Sequence, residues 1–313
     1  MKDIKDLIKY ATMAPSGHNS QPWLFEINDS IVTIFPDYTK SRPKTDPTNR
    51  ELFISLGAAA KNLEIAAEYK GMIFERKVEE DKIIYKFIKN GKAISRSKDL
   101  FDAIKKRTTN RSDYFEKPVE KEKIDKIQEI ESNKAFLRLI WNKDDKLKIA
   151  ALASDADKVW YKSKSLTEEL EGWLRDDLES SKDGLPTSVL SLYKVAVEMK
   201  YLFSGDSEYS DKRSKRDYDL AIKSSLLIVL GTKNDTIEDW IEAGRLFETL
   251  ALSLTSMGLS NAFFNNIIQI KKFRADLSTK LNFKGNAQML LRVGYAKEKS
   301  GKTKRRPVSE VLL

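Results

Sequence analysis

The stretch Gly57-Ala58-Ala59-Ala60-Lys61-Asn62-Leu63-Glu64-Ile65-Ala66-Ala67 closes at Gly71, and a second one, Gly244-Arg245-Leu246-Phe247-Glu248-Thr249-Leu250-Ala251-Leu252-Ser253-Leu254, closes at Gly258. Both run fourteen residues from glycine to glycine. Each sets small or apolar side chains at helical spacing and stops on the residue that best tolerates a left-handed helix end. Strand-like Met72 to Arg76 and Ile83 to Ile88 follow the first stretch. Leu226 to Leu230 precedes the second, and Met289 to Val293 follows it. Two lobes of one α+β design, related by a pseudo-twofold axis, would explain this pattern. Chance likeness between two apolar helices is the alternative.

Outward from that repeat, composition narrows the class. A chain of 313 residues with 41% hydrophobic content can bury a sizeable core and is globular rather than disordered. No apolar run is long enough to span a bilayer, and the amino end lacks the basic–apolar–small order of a secretion signal. The absence of cysteine excludes a disulfide, a thiolate nucleophile or an iron–sulfur cluster. A cytoplasmic protein with no membrane partner is the expectation. The net charge of +9 is spread over the chain, with lysine beside glutamate as in Glu120-Lys121-Glu122-Lys123. That reads as solvated helix faces, so no nucleic acid partner is expected, although the field favours anionic small ligands.

Four segments carry candidate chemistry. The loop Ala14-Pro15-Ser16-Gly17-His18-Asn19-Ser20-Gln21-Pro22-Trp23 is stiffened by two prolines, opened by Gly17, and furnished with short polar groups at Ser16, Asn19 and Gln21. It suits a planar polar ligand edge; a capped surface turn is the plainer reading. Arg107-Thr108-Thr109-Asn110-Arg111 sets two guanidinia four apart with hydroxyls between them, a phosphate-holding pattern or simply a basic loop. Lys302-Thr303-Lys304-Arg305-Arg306-Pro307-Val308 concentrates positive charge ahead of an apolar Val311-Leu312-Leu313 anchor. Phe263-Phe264-Asn265-Asn266 follows the second repeat helix, where asparagine tolerates left-handed geometry. Two structural expectations accompany these: a polar junction over Asn90 to Lys106, and an inserted helix from Ser165 to Ser180 ending at Asp183-Gly184-Leu185-Pro186, either a lid or a packing element.

The set and its spacing resemble the nitroreductase family of flavin mononucleotide enzymes. The loop from Ala14 to Trp23 is similar to that family's Ala-Pro-Ser-x-x-Asn-x-Gln-Pro-Trp signature. Arg107 to Arg111 resembles its Arg-x-Ser-x-Arg opening with Thr109 in place of serine, and Lys304-Arg305-Arg306-Pro307-Val308 resembles its carboxyl-terminal close. The order differs from an ordinary member, because the loop comes first and the arginine opening follows. That layout is similar to the Acg branch, whose Asp-x-x-x-Arg-Glu-Leu segment is matched by Asp46 to Leu52.

The resemblance implies two fused nitroreductase-like lobes, each a mainly antiparallel sheet flanked by helices. Residues 1–105 would form a degenerate lobe that lends the loop, and 106–313 the main flavin-binding lobe, together making an internal pseudo-dimer with one complete site. It further implies that Arg107, Arg305 and Lys304 or Arg306 hold the flavin phosphate. Thr108 and Thr109 would meet the ribityl or pyrimidine edge, and Arg111 the ring near N1 and O2. Pro15, Ser16, Gly17, Asn19 and Gln21 would pack along the flavin, with Asn265 and Asn266 in the stretch facing N5; Arg216 is a further candidate for the pyrimidine edge. No protein side chain is assigned catalysis, and no metal is expected. The implied activity is hydride transfer from NAD(P)H through flavin to a nitroaromatic, quinone or similar acceptor. The alternative is a low-turnover flavin-binding, storage or sequestering protein whose lid closes the site. A monomer is expected, with a homodimer through the inserted helix as the other option.

Overall fold

The computed structural model describes residues 2–89, 98–175, 182–186 and 207–313. In the amino-terminal lobe, α1 (Lys2–Ala11) leads through the proline-flanked loop into β1 (Trp23–Asn28) and β2 (Ile31–Pro36). Trp23 and Phe25 of β1 are fully buried while Glu26 is exposed, the alternation of a strand with one face on a core. The connection needs only Asp29 and Ser30, with Asp29 at φ 53°. After it come α2 (Arg50–Tyr69), β3 (Met72–Glu79) and β4 (Lys82–Lys89). All neighbours pair antiparallel in the order β1-β2-β4-β3.

The carboxyl-terminal lobe repeats that order with additions. After α3 (Lys98–Ile104), β5 (Tyr114–Phe115) and α4 (Lys121–Gln128) comes β6 (Ala135–Ile140). There follow α5 (Lys143–Lys162), α6 (Lys164–Gly172), the short β7 (Leu174–Arg175) and β8 (Leu185–Pro186), and α7 (Ser207–Lys223). Then β9 (Leu226–Thr232), α8 (Ile237–Ser256), β10 (Ser260–Phe263), α9 (Asn266–Gln269), α10 (Lys271–Lys280) and β11 (Asn286–Ala296) complete it. The main sheet runs β6-β9-β11-β10, again antiparallel throughout. Strand for strand this is the order of the first lobe, with α8 where α2 stands. The two helices start at 50 and 237, are each 20 residues long, and stop at Gly71 and Gly258, both at φ 73°. Shared topology at a constant offset removes chance as the account of the repeat. The fold is α+β, a pair of like lobes.

α2 packs directly on α8, so the pairing surface lies inside the chain. Nearly the whole of α2 is buried, because it serves its own sheet on one side and α8 on the other. The carboxyl end crosses back to the first lobe: the Phe25 amide donates to the Val311 carbonyl at 2.7 Å and the Leu313 amide to the Phe25 carbonyl at 2.9 Å.

Three expectations require correction. The insertion is larger than a single helix and falls between β6 and β9, residues 141–225, where the first lobe has a two-residue turn. Its helix α6 ends at Gly172 rather than Ser180, since Trp173 leaves the helix and its carbonyl accepts the Leu185 amide at 2.8 Å; 176–181 and 187–206 lie outside the described residues. The polar junction is also only partly a linker. Residues 90–97 lie outside the described set, whereas α3 is an ordered helix whose Phe101 stacks on Tyr69 with ring centroids 4.0 Å apart.

Candidate functional site

The proline-flanked loop is held in a shape that few sequences tolerate. His18, Asn19 and Gln21 all lie in the left-handed region, at φ 50°, 55° and 54°. The Ser16 hydroxyl fixes the bend by accepting the Gln21 amide at 2.9 Å. At Gly17 a Cβ would stand 2.2 Å from the Arg42 guanidinium, so only glycine lets that cation lie against the loop. Arg42 is in turn ion-paired to Glu51 on α2 at 2.7 Å.

Asn19 and Gln21 then tie three distant parts of the chain together. Asn19 donates to the Gly184 carbonyl at 3.0 Å and the Lys304 carbonyl at 3.2 Å, while its Oδ1 accepts from Arg305 at 2.9 Å. Gln21 donates to the Lys182 carbonyl at 2.8 Å and accepts the Arg306 amide at 2.8 Å. The loop from the first lobe, the insertion and the cationic carboxyl-terminal segment therefore meet at one seam.

Two cavities open there, of about 320 and 410 Å³, sharing Pro15, Ser16, Thr109, Arg111 and Leu185 as walls. Each falls within the usual size of a small-molecule site. The 320 Å³ cavity also takes Gly17, Asn265, Asn266 and Arg216. The 410 Å³ cavity takes Asn19, Arg107, Thr108 and Arg305, with Lys105 and Lys302 at its wall and, among the described residues, no carboxylate lining it. Gln21, Lys304 and Arg306 line neither. Gln21 is wholly buried as a tie, the Lys304 backbone is used by Asn19, and Arg306 is engaged by Asp37 at 3.2 Å. The left-handed geometry that asparagine tolerates is not used by Asn265, at φ −75°, and Asn266 opens α9; the unusual backbone is in the loop.

The electrostatics of the cationic cavity are unbalanced. Arg107 is buried with Nε 3.8 Å from a Glu248 oxygen, beyond a good hydrogen bond, and its Nε and Nη1 have no partner; nor does Nε of Arg305. Burial, then the neighbouring Arg107, lowers Arg305 to about 9. Burial, then Arg292, lowers Arg111 to about 10. Burial also pushes Glu248 up to about 7 against the pull of Arg107, which weakens it as a counter-ion. Crowded, desolvated cations with unused donors fit a multivalent anion. His18, on the wall of the 320 Å³ cavity, is driven down to about 3 by burial and then Arg42, so it is a neutral imidazole with an unpartnered Nδ1.

Sequence reading missed Arg42, Arg292, Asp157 and Asp217, which also line the 320 Å³ cavity. Arg292 had a usable signal, a charge inside the apolar strand Met289 to Val293, where it is buried and lies 4.0 Å over the Tyr114 ring. Arg42 and the two aspartates sit in polar surroundings in the sequence, with nothing to mark them.

No protein-family model matches the chain. Over 333 residues it is 26% identical to Uncharacterized protein Rv3127 of Mycobacterium tuberculosis, covering 99% of this chain and 92% of that one. Over 336 residues it is 25% identical to the Putative NAD(P)H nitroreductase acg of the same organism, covering 99% and 95%. Among solved structures, the FMN-dependent nitroreductase NfnB from Mycobacterium smegmatis in complex with NADPH aligns with a TM-score of 0.44 at 14% identity, over 69% of this chain and 97% of that one. The likeness to the acg protein runs from end to end, and the loop, arginine segment and cationic close that carried the resemblance line or brace one cleft, so the chain is similar over its whole length to a protein named as a nitroreductase.

Proposed function

We propose that this protein binds flavin mononucleotide at the seam between its lobes and acts as an NAD(P)H oxidoreductase toward a small nitroaromatic, quinone or similar acceptor. The observation that carries this reading is the 410 Å³ cavity lined, among the described residues, by five cationic side chains (Lys105, Arg107, Arg111, Lys302 and Arg305) and no carboxylate, opening beside a second cavity with shared walls. The name of the acg relative points to the same chemistry.

The donor set fits the cofactor. Arg107 and Arg305 hold the phosphate through the guanidinium N–H groups now unpartnered, since a dianion prefers forked donors. Thr108 and Thr109 bond the ribityl and pyrimidine edge. Arg111, kept cationic but poorly solvated, stabilises negative charge on the reduced ring. Pro15, Ser16 and Gly17 form one wall, and Asn265 with Asn266 the other. Asn19 positions Arg305 rather than serving as the main ligand. Bound flavin supplies two-electron chemistry, taking hydride from the nicotinamide and giving it to the acceptor. On this reading the lobes divide near 105/106, the carboxyl tail returning to the first lobe, and a monomer suffices because the chain already contains its own pairing surface.

A second reading, flavin binding with little turnover, is favoured by one observation. Leu170, Leu174 and Leu185 from the insertion line the 320 Å³ cavity. Visible absorbance of the purified protein tests both readings, and a colourless protein that cannot be reconstituted with flavin mononucleotide removes both. Anaerobic mixing with NADPH and NADH separates them: rapid bleaching supports the oxidoreductase, and bleaching by dithionite alone supports the binding protein.

A further inference from the structure

Two carboxylic acids in the 320 Å³ cavity have no part in holding the cofactor. Asp157, on α5, is 1% exposed, and Asp217, on α7, lines the same wall. The Asn266 amide donates to one Asp157 oxygen at 2.6 Å, and the other oxygen accepts no hydrogen bond. These helices pack along each other, which brings the two carboxyl groups to one cavity. Burial first, and then Asp217, raise Asp157 well above the usual carboxylate range; Asn266 and Arg213 oppose this without cancelling it. The remaining charged groups lining the cavity, among the described residues, are Arg213 and Arg216 of α7, Arg111 and Arg292 elsewhere in the second lobe, and the ion pair of Arg42 with Glu51 from the first lobe.

A buried acid that served only to anchor Asn266 would need neither a carboxyl neighbour nor an open face on a cavity. We propose that Asp157, steadied by Asn266 and facing Asp217, is the proton donor to the acceptor in the reduction assigned above. The inference rests on that assignment. A quinone acceptor gains a hydride, with both electrons, from the reduced cofactor and a proton from the Asp157 O–H, becoming a hydroquinone. Asp157 is left as a carboxylate and regains its proton from water, while NAD(P)H restores the hydride.

The test uses the flavin-loaded protein, Asp157→Asn and Asp217→Asn. The expected result for Asp157→Asn is a 10²- to 10⁴-fold slower oxidative half-reaction with a quinone, the usual contribution of a general acid, and a reductive half-reaction with NADPH unchanged within about twofold. In Asp217→Asn the pH at which the oxidative rate falls moves down, because the like-charged neighbour is gone. Independently of turnover, infrared spectra at neutral pH show a protonated-carboxyl band that Asp157→Asn removes, and that Asp217→Asn leaves in place but loses at a lower pH than wild type. Equal slowing of both half-reactions, an unchanged oxidative rate, or the absence of that band overturns the proton-donor role. If Asp157→Asn does not fold, the Asp217→Asn pH shift and the band decide. A wild-type protein that takes up no flavin overturns the functional assignment instead, and is recognised before any variant is compared.

Discussion

Gly57 and Gly244 are counterparts at the crossing of α2 and α8, each pressed against the other helix's backbone. A Cβ on Gly57 would lie 2.0 Å from the Ile241 carbonyl oxygen and 3.1 Å from the Arg245 amide nitrogen. One on Gly244 would lie 1.9 Å from the Ile54 carbonyl oxygen and 3.0 Å from the Ala58 amide nitrogen. The partners correspond pairwise at the offset that separates the helices, so the internal twofold holds to atomic detail here. Neither glycine is needed for its own φ, since both stand inside regular helices. They are needed because the helices touch backbone to backbone.

Gly57→Ala or Gly244→Ala should therefore destabilise the protein by about 2–4 kcal/mol, well beyond the small gain that alanine brings to an isolated helix. The obstruction is main chain, which cannot swing aside as a side chain would. Urea unfolding of each variant measures it, and a midpoint at or above wild type would show that the lobes are not joined at this contact.

Phosphate anchoring predicts a different loss. Arg107→Ala with Arg305→Ala removes two charge-assisted contacts of about 1.5–3 kcal/mol each, a fall in flavin mononucleotide affinity of roughly 10²- to 10⁴-fold. Both side chains reach the cavity with unused donors, so the loss belongs to the ligand more than to the fold. Absorbance titration reads the affinity and circular dichroism the fold. Retention of flavin by the folded double variant would move the phosphate elsewhere.

Glu248 gives the flavin-free protein a pH dependence. Its carboxyl titrates at about 7 in the folded chain, raised by burial from 4.5, so the folded state holds a proton that the unfolded state has released. Stability is thus fully present below pH 4.5 and is lost as pH rises toward 7, by on the order of 3 kcal/mol for such a shift. Glu248→Gln should flatten that part of the curve and make the protein more stable than wild type at pH 8. Parallel curves for the two proteins between pH 4.5 and 8 would show that Glu248 ionises freely.

Much of this was legible before any coordinates. The glycine-framed helices announced the repeat, because close helix crossing needs glycine and apolar neighbours, and those leave a mark on composition. The strands flanking them alternate or run apolar in the ordinary way. The loop was legible because its backbone demands are severe: two prolines, a glycine, and residues that tolerate positive φ. What stayed hidden depends on long-range placement. Gln21 and Arg306 look like ligands by type and charge, yet each is consumed in bonds to segments 161 or more positions away. Asp157 and Asp217 are ordinary helix-face acids until the insertion folds them onto the cavity. The size of that insertion was hidden too, since α5 and α7 have surface-like sequences and simply extend a two-residue turn.

The internal twofold makes a last prediction, about stoichiometry. The 320 Å³ cavity is walled by Ser55 and Ala58 of α2 and Phe263 of β10, and at the repeat offset these correspond to Glu242, Arg245 and Arg76. Where the working cleft has small and apolar groups, its mate has an ion network. Arg245 donates to Glu64 at 2.8 and 2.9 Å, Arg76 to Glu242 at 2.5 Å, and the Tyr85 hydroxyl to Glu64 at 2.8 Å. Burial would raise Glu64, but Lys61 and Arg245 outweigh it and hold it at about 2, so the network stays ionised at any working pH. Inserting a flat aromatic ring there would break paired, buried charges, each pair costing about 3–5 kcal/mol when one partner is stranded. Flavin mononucleotide should therefore saturate at one equivalent per chain, and Arg245→Ala with Glu242→Ser should leave affinity at the working cleft unchanged. A titration of the wild-type chain that ends at two equivalents would mean that the mate cleft opens, and that the two halves have kept more of their common chemistry than these ion pairs allow.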